Sequence, residues 1–108
     1  MKNYLYIDDI RKVNKDLFNK FNIYIVKNYN EAINILNNYD IDIIDLDHDL
    51  GEEKTGYDIA KYIVASNIKI KEGFKIHSAN SVGRYNISQL LTHYGYRELS
   101  WKNKKFIL

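Results

Sequence analysis

The sequence predicts an α/β domain built on a mostly parallel, doubly wound sheet of five strands, and three observations predict it. Short β-rich runs alternate with segments of helical periodicity, joined by short loops. The apolar runs stop abruptly in acids or histidines, as in Ile41-Asp-Ile-Ile-Asp-Leu-Asp-His-Asp-Leu-Gly51. The chain has 108 residues, enough for one core and too few for two, so 1–108 is read as a single domain.

Tyr4-Leu-Tyr-Ile7 is a compact strand pattern that ends in Asp8-Asp9-Ile10-Arg11. Val13, Leu17, Phe18 and Phe21 fall at helical spacing and predict a short helix or helical turn within 12–21. Ile23-Tyr-Ile-Val26 is the second strand. Asn28 with Glu31 three residues later has the form of a capping box, and Ala32, Ile33, Leu36 and Tyr39 share one face of the helix that follows. The central strand, 41–47, carries the β-branched and aliphatic residues expected of a strand covered on both faces.

Gly51 then lets the chain turn out, and Thr55 caps a further helix with Asp58 in its first turn and Ile59, Ala60, Ile63 and Val64 as its buried stripe. After a loop at 69–73, Phe74-Lys-Ile-His-Ser78 reads as the fourth strand. Ser81 is the expected cap of a last helix whose apolar face is Val82, Ile87, Leu90, Leu91 and Tyr94, closed by Gly95. Residues 96–101 are a candidate fifth strand, and 102–108 are too few for a full final helix.

Composition excludes several classes. There is no cysteine, hence no disulfide framework, thiolate metal site or thiol nucleophile. No apolar run approaches membrane-spanning length and the first residues lead straight into a strand pattern, so neither anchor nor signal peptide is expected, and a cytoplasmic setting is. A net charge of +2 is too mild to argue for nucleic acid by itself, and its one concentration is Lys102, Lys104 and Lys105. The ten tyrosines accompany abundant Asn, Ile and Lys, a bias of the whole chain, so they are not read as a base-stacking platform.

In an open α/β sheet, ligands bind outside the carboxyl ends of the strands. Three strand ends, Asp8/Asp9, Asp47/His48/Asp49 and His77/Ser78, are therefore expected to converge at one edge.

Asp8-Asp9-Ile-Arg11, Leu46-Asp-His-Asp-Leu-Gly51, Lys54-Thr-Gly-Tyr-Asp58, and His77-Ser-Ala-Asn80 with Gly83-Arg84 together resemble the cyclic-phosphate processing receiver-like domains, across nearly the whole chain. The resemblance implies a flavodoxin-like, receiver-like fold whose last helix is here missing or vestigial. It also implies a role on a cyclic phosphate of a nucleotide or RNA end, by opening it or by recognising it. The sequence departs from signalling receivers: no Lys-Pro follows the expected fifth strand, and His48 and His77 are foreign to ordinary phosphoacceptor sites. An atypical phosphoacceptor receiver using Asp47 is one alternative. A non-catalytic module that binds a nucleotide or a protein partner is another, and the last helix with the fifth strand could offer a homodimer face.

Opening a cyclic phosphodiester requires a base to activate water and an acid to protonate the departing ribose oxygen, and histidines suit both tasks near neutral pH. His48 and His77 are assigned to that pair, with the base left open between them, and Asp49 or Asp8 is the carboxylate that orients each ring. Arg11 and Arg84 are the fork donors for phosphate, joined by Ser78, Asn80 and the free amides at the start of the last helix. Each nearby carboxylate would repel a phosphate charge by roughly 3 kcal/mol at ~5 Å and an effective dielectric of about 20. Either magnesium or manganese among Asp8, Asp9 and Asp47, as in signalling receivers, or engagement of the acids by histidine and arginine would offset this. His93 is read as a C-terminal helix residue favoured by the dipole and stays outside the site.

Overall fold

Four runs rich in aliphatic and aromatic residues form the strands β1 (Lys2–Ile7), β2 (Phe21–Val26), β3 (Ile41–Leu46) and β4 (Ile70–Ile76), all parallel, in the order β2-β1-β3-β4. The computed structural model describes residues 1–99, so Trp101 and the expectations for 102–108 lie outside the described residues. Parallel neighbours need crossovers. α1 (Tyr29–Asn38), α2 (Gly56–Ala65) and α3 (Ser81–His93) occupy the connections between and after the later strands. Beside β4, the fifth place in the sheet is marked by a single parallel bridge between Phe74 and Glu98. There Phe74 N donates to Arg97 O (2.9 Å) and Leu99 N donates to Phe74 O (2.8 Å). The fold is flavodoxin-like with its last strand cut short among the described residues.

Strand alternation divides the buried side chains between two faces. Leu5, Ile7, Ile44, Leu46, Phe74 and Ile76 meet Ala32, Leu36, Ile59, Ala60, Ile63, Ile87 and Leu91 of the three helices in the main core. Burying each large aliphatic or aromatic side chain of this kind stabilises by about 1.5–3 kcal/mol, so most of the fold's stability resides on the helix face. Tyr4, Tyr6 and Ile43 face the other way, against Val13 with Leu17, Phe21, Ile23 and Leu99. Among the described residues that second face carries no α-helix, only a 3-10 helix at Lys15–Asn19. The expected helix within 12–21 is thus reduced to a turn: the Asn14 side chain accepts from Asp16 N, Phe21 already belongs to β2, and Phe18 is exposed.

The Asn28 cap is half of the expected capping box: Asn28 accepts from Glu31 N (2.9 Å), but Glu31 reaches one residue further back and accepts from Lys27 N (2.9 Å). Thr55 and Asp58 form a full capping box. Several boundaries differ: β1 and β2 begin two residues before the runs read from the sequence, at Lys2 and Phe21, and two further starts have local causes. β4 starts at Ile70, paired with Ile41, and not at Phe74, because an irregularity in register and the close approach of Gly73 to Arg97 O let the chain stay in the sheet. α3 is capped by Asn80 and not by Ser81, because the Asn80 side chain reaches Gly83 N (2.9 Å) from an extended backbone. Gly83, Ile87 and Leu91 therefore point inward, and Val82 and Tyr94, expected in the apolar face, are exposed. No helix among the described residues is long and apolar enough to cross a membrane.

Candidate active site at the carboxyl edge

β1, β3 and β4 end on one rung of the sheet, with Ile7 paired to Leu46 and Leu46 to Ile76. Asp8, Asp47 and His77 are each the next residue along. Their amides extend the ladder: Asp8 N donates to Val26 O (3.1 Å), Asp47 N to Ile7 O (3.1 Å) and His77 N to Leu46 O (2.9 Å). Alternation turns these three side chains away from the helix face, toward the face of Tyr6, Asp45 and Lys75. One oxygen or nitrogen from each of Asp8, Asp47 and His77 lies within 4.8 Å of the others.

His77 is held at both ring nitrogens. Nε2 lies 2.9 Å from Asp8 Oδ2 and Nδ1 lies 2.6 Å from Asp45 Oδ1, while its ring stacks on Tyr6 at 4.8 Å between centroids. The other Asp45 oxygen accepts from the Tyr4 hydroxyl. Burial alone would lower the His77 pKa; the bonds and charges of Asp45 and then Asp8 overcome it, and the pKa is raised from the ordinary value. Burial likewise works to raise Asp8, yet the Ile10 and Arg11 backbone N–H groups (2.8 and 2.7 Å) and His77 hold its carboxyl below the usual range. Asp47 goes the other way. Burial and the neighbouring Asp8 charge raise its pKa despite bonds from Ser78 and the His48 backbone.

His48 has a different setting. Its Nδ1 lies 2.8 Å from Asp49 Oδ1, and the Asn80 amide stands 3.4 Å from both. Nε2 has no protein partner among the described residues. The ring rests on Gly83, where a Cβ would come within 2.3 Å of its Cγ. The backbone on the way there is equally tight, since Gly56 N donates to His48 O (2.8 Å) and a Cβ at Gly56 would meet Asp47 O at 2.1 Å.

The phosphate donors expected from the sequence are partly committed. Arg11 Nη1 donates to His77 O (2.7 Å), leaving the rest of its fork without a protein partner among the described residues. Ser78 Oγ accepts from Asn80 N (3.0 Å), and the Gly83 amide is taken by the Asn80 side chain (2.9 Å), so neither amide is free at the start of α3. Arg84 is exposed on the first turn of α3. Asp9 lies at the edge cavity of about 370 Å³ with Asp8, Arg11, Asp47 and Asp49. It stands outside the close ligand cluster, because two residues past the rung its carboxylate lies over the Gly51 turn. The atoms close enough to share one ion belong to Asp8, Asp47 and His77, while Asp9 lines the edge cavity beside Asp8 and Asp47. Two carboxylates and an imidazole fit a divalent ion such as manganese or magnesium, and the Asp45 carboxylate on the far ring nitrogen is the usual support of a metal-bound histidine.

Sequence reasoning missed Asp45, Tyr4 and Tyr6. Asp45 is only 3% exposed and sits inside an apolar strand. The available signal was parity: Asp45 shares its strand face with Tyr4, Tyr6, Lys75 and His77, a polar stripe that a strand covered on both faces by aliphatic packing would not carry.

A parallel sheet in this order, with two acids at adjacent strand ends, defines a receiver-type domain. The profile of the cyclic-phosphate processing receiver domain matches residues 3–93, and the chain belongs to that family. No curated protein matches. Among solved structures, the response regulator TrrA from Thermotoga maritima, in complex with magnesium and beryllium fluoride, is similar at 18% identity and TM-score 0.66, over 99% of this chain and 94% of that one. A receiver domain from Methanospirillum hungatei is similar at 14% identity and TM-score 0.63, over 91% and 78% of the two chains. A response regulator from Burkholderia pseudomallei, with a phosphorylated aspartic acid, a calcium ion and citrate, gives 16% identity and TM-score 0.62. This chain covers 58% of that protein's length and is itself covered over 91%.

Proposed function

We propose that the domain opens a cyclic phosphate on a nucleotide or RNA end, with His48 as the group that moves the proton. The observation that carries this reading is the His48–Asp49 pair: Nδ1 is bonded to a carboxylate while Nε2 has no protein partner among the described residues. A carboxylate on Nδ1 fixes the ring and keeps the proton on that nitrogen, so Nε2 is left to take a proton from water. Water oxygen bonds to phosphorus, the bond from phosphorus to one ribose oxygen breaks, and a proton ends on that oxygen. Asp47 lines the same edge cavity, its pKa raised by burial and by the neighbouring Asp8 charge.

His77 takes a different part from the one expected of a base. With both ring nitrogens on carboxylates, it serves as a fixed positive charge that offsets Asp8 and Asp45 beside the phosphate. Arg84, the unengaged part of Arg11 and the Asn80 amide supply donors to the phosphate oxygens. A divalent ion held by Asp8, Asp47 and His77 would take the place of the proton on His77 Nε2, so the ion and the imidazolium charge are alternative ways of offsetting the acids, and the ion would supply Lewis-acid polarisation of the phosphoryl oxygen.

The test is phosphorus NMR of the protein with nucleoside 2′,3′-cyclic phosphates, with and without magnesium or manganese. Loss of the cyclic resonance, abolished by His48→Ala, is expected. A resonance that shifts or broadens but persists would make the domain a binding module, and labelling of Asp47 by a small phosphodonor in magnesium would make it a phosphoacceptor.

A further inference from the structure

We propose that a second cavity, on the tyrosine face of the sheet, receives the nucleobase, so that the substrate is a nucleoside 2′,3′-cyclic phosphate, free or as the last nucleotide of an RNA. The proposal rests on the cyclic-phosphate reading and adds a base site to it. The cavity measures about 260 Å³ and is lined by Tyr4, Tyr6, Asp45 and His77, with Arg11 and Lys12 also on its wall. That size is slightly below the ~300–1,000 Å³ of pockets for drug-sized ligands, and suits one ring system with part of a sugar.

Its chemistry suits a base. Tyr6 and His77 lie parallel within 4°, giving a double aromatic layer, and the Lys75 ammonium stands over the Tyr4 ring at 5.6 Å. Aromatic walls hold bases of any sequence through their π-faces. Asp45 is buried at the cavity wall with one bond to each oxygen, from Tyr4 and His77, so each keeps a lone pair for an N–H of a base.

Position supplies the rest of the argument. Arg11 borders both this cavity and the acidic edge cavity, and it is the only described residue that does. His77 faces the base cavity while its Nε2 is bonded to Asp8 of the edge. A ribose passing Arg11 would therefore join a base on the tyrosine face to a cyclic phosphate at the strand ends.

The experiment uses the full chain and three probes: adenosine, adenosine 2′,3′-cyclic phosphate, and the 2,3-cyclic phosphate of methyl riboside, which lacks the base. Adenosine alone is expected to shift the amide resonances of Tyr4, Tyr6, Leu17 and Lys75. The base is expected to improve binding about tenfold or more over the methyl riboside compound, within the range of one stacked base. Leu17→Trp, which fills the cavity, is expected to shrink that advantage below about twofold. Equal binding of the two cyclic phosphates, with no shifts from adenosine, would overturn the base site and leave the cyclic-phosphate reading intact. Shifts from adenosine on the tyrosine face with neither cyclic phosphate turned over would uphold the base site and refute the enzyme reading.

Discussion

Asp45→Asn tests the buried network most directly. The asparagine keeps the shape of the side chain but offers one acceptor oxygen where two donors, the Tyr4 hydroxyl and His77 Nδ1, now converge. Its amide N–H₂ must face one of them. A hydrogen bond to a charged group is worth about 1.5–3 kcal/mol, and removing one partner of a buried ion pair costs about 3–5 kcal/mol. Asp8 still holds the other nitrogen of His77, so the expected loss is about 3 kcal/mol, a large share of the roughly 5–15 kcal/mol of a small domain. Urea unfolding in metal-free buffer measures it. The pH dependence gives a second, independent sign. The folded pKa of His77 is raised above the ordinary 6.5, so its contribution is complete below that value and is lost as pH rises through the folded value. Asp8 is depressed, so its contribution is present above the ordinary carboxylate value and lost as pH falls through its folded one. Asp45→Asn should therefore flatten the decline of stability on the alkaline side and leave the acidic limb in place. A loss below about 0.5 kcal/mol with an unchanged alkaline limb would refute the network as a stabilising device.

Two further substitutions separate site from scaffold. Gly83→Ala places a methyl where the His48 ring now sits, so turnover of a cyclic phosphate should fall at least about tenfold in a phosphorus NMR time course, since small displacements of catalytic groups are costly. Thermal stability should fall as well, since overpacking of about 1–3 kcal/mol exceeds the up to about 1 kcal/mol of helix propensity gained by alanine, so turnover is referred to the folded fraction. Thr55→Ala removes a hydroxyl that accepts from Tyr57 N (3.2 Å) and Asp58 N (3.4 Å). It should lower stability by about 1 kcal/mol in urea and leave turnover of the cyclic phosphate by the folded protein unchanged.

The parts of the fold that could be read from the sequence are those with local causes. Asn28, Thr55 and the stripe Ile59, Ala60 and Ile63 declare α1 and α2 through hydrogen bonds and periodicity confined to a few residues. The meeting of Asp8, Asp47 and His77 was legible because strand ends in a parallel sheet converge. What was hidden depended on the other face. Val13, Leu17 and Phe21 have helical spacing, yet Asn14 caps a 3-10 turn and Phe21 is drawn into β2 by pairing with Lys2. The double clamp on His77 required knowing that Asp45 points to the tyrosine face, which depends on the register of β3 between β1 and β4. Ten tyrosines in a biased composition also masked the two, Tyr4 and Tyr6, that touch the network.

The shared last rung of β1, β3 and β4 makes strand length a determinant of chemistry. Asp8, Asp47 and His77 face one another because each lies one peptide past Ile7, Leu46 and Ile76. Removing or adding a single residue within any of these strands while its pairing is kept would rotate that side chain to the helix face, among Leu5, Ile44 and Phe74. Apolar residues along the strands can be exchanged for others of similar volume at modest cost, whereas the count of residues up to the rung cannot drift by one. Homologous or engineered chains that keep the acids and the histidine but change this count should fold around the same core and lose the cluster.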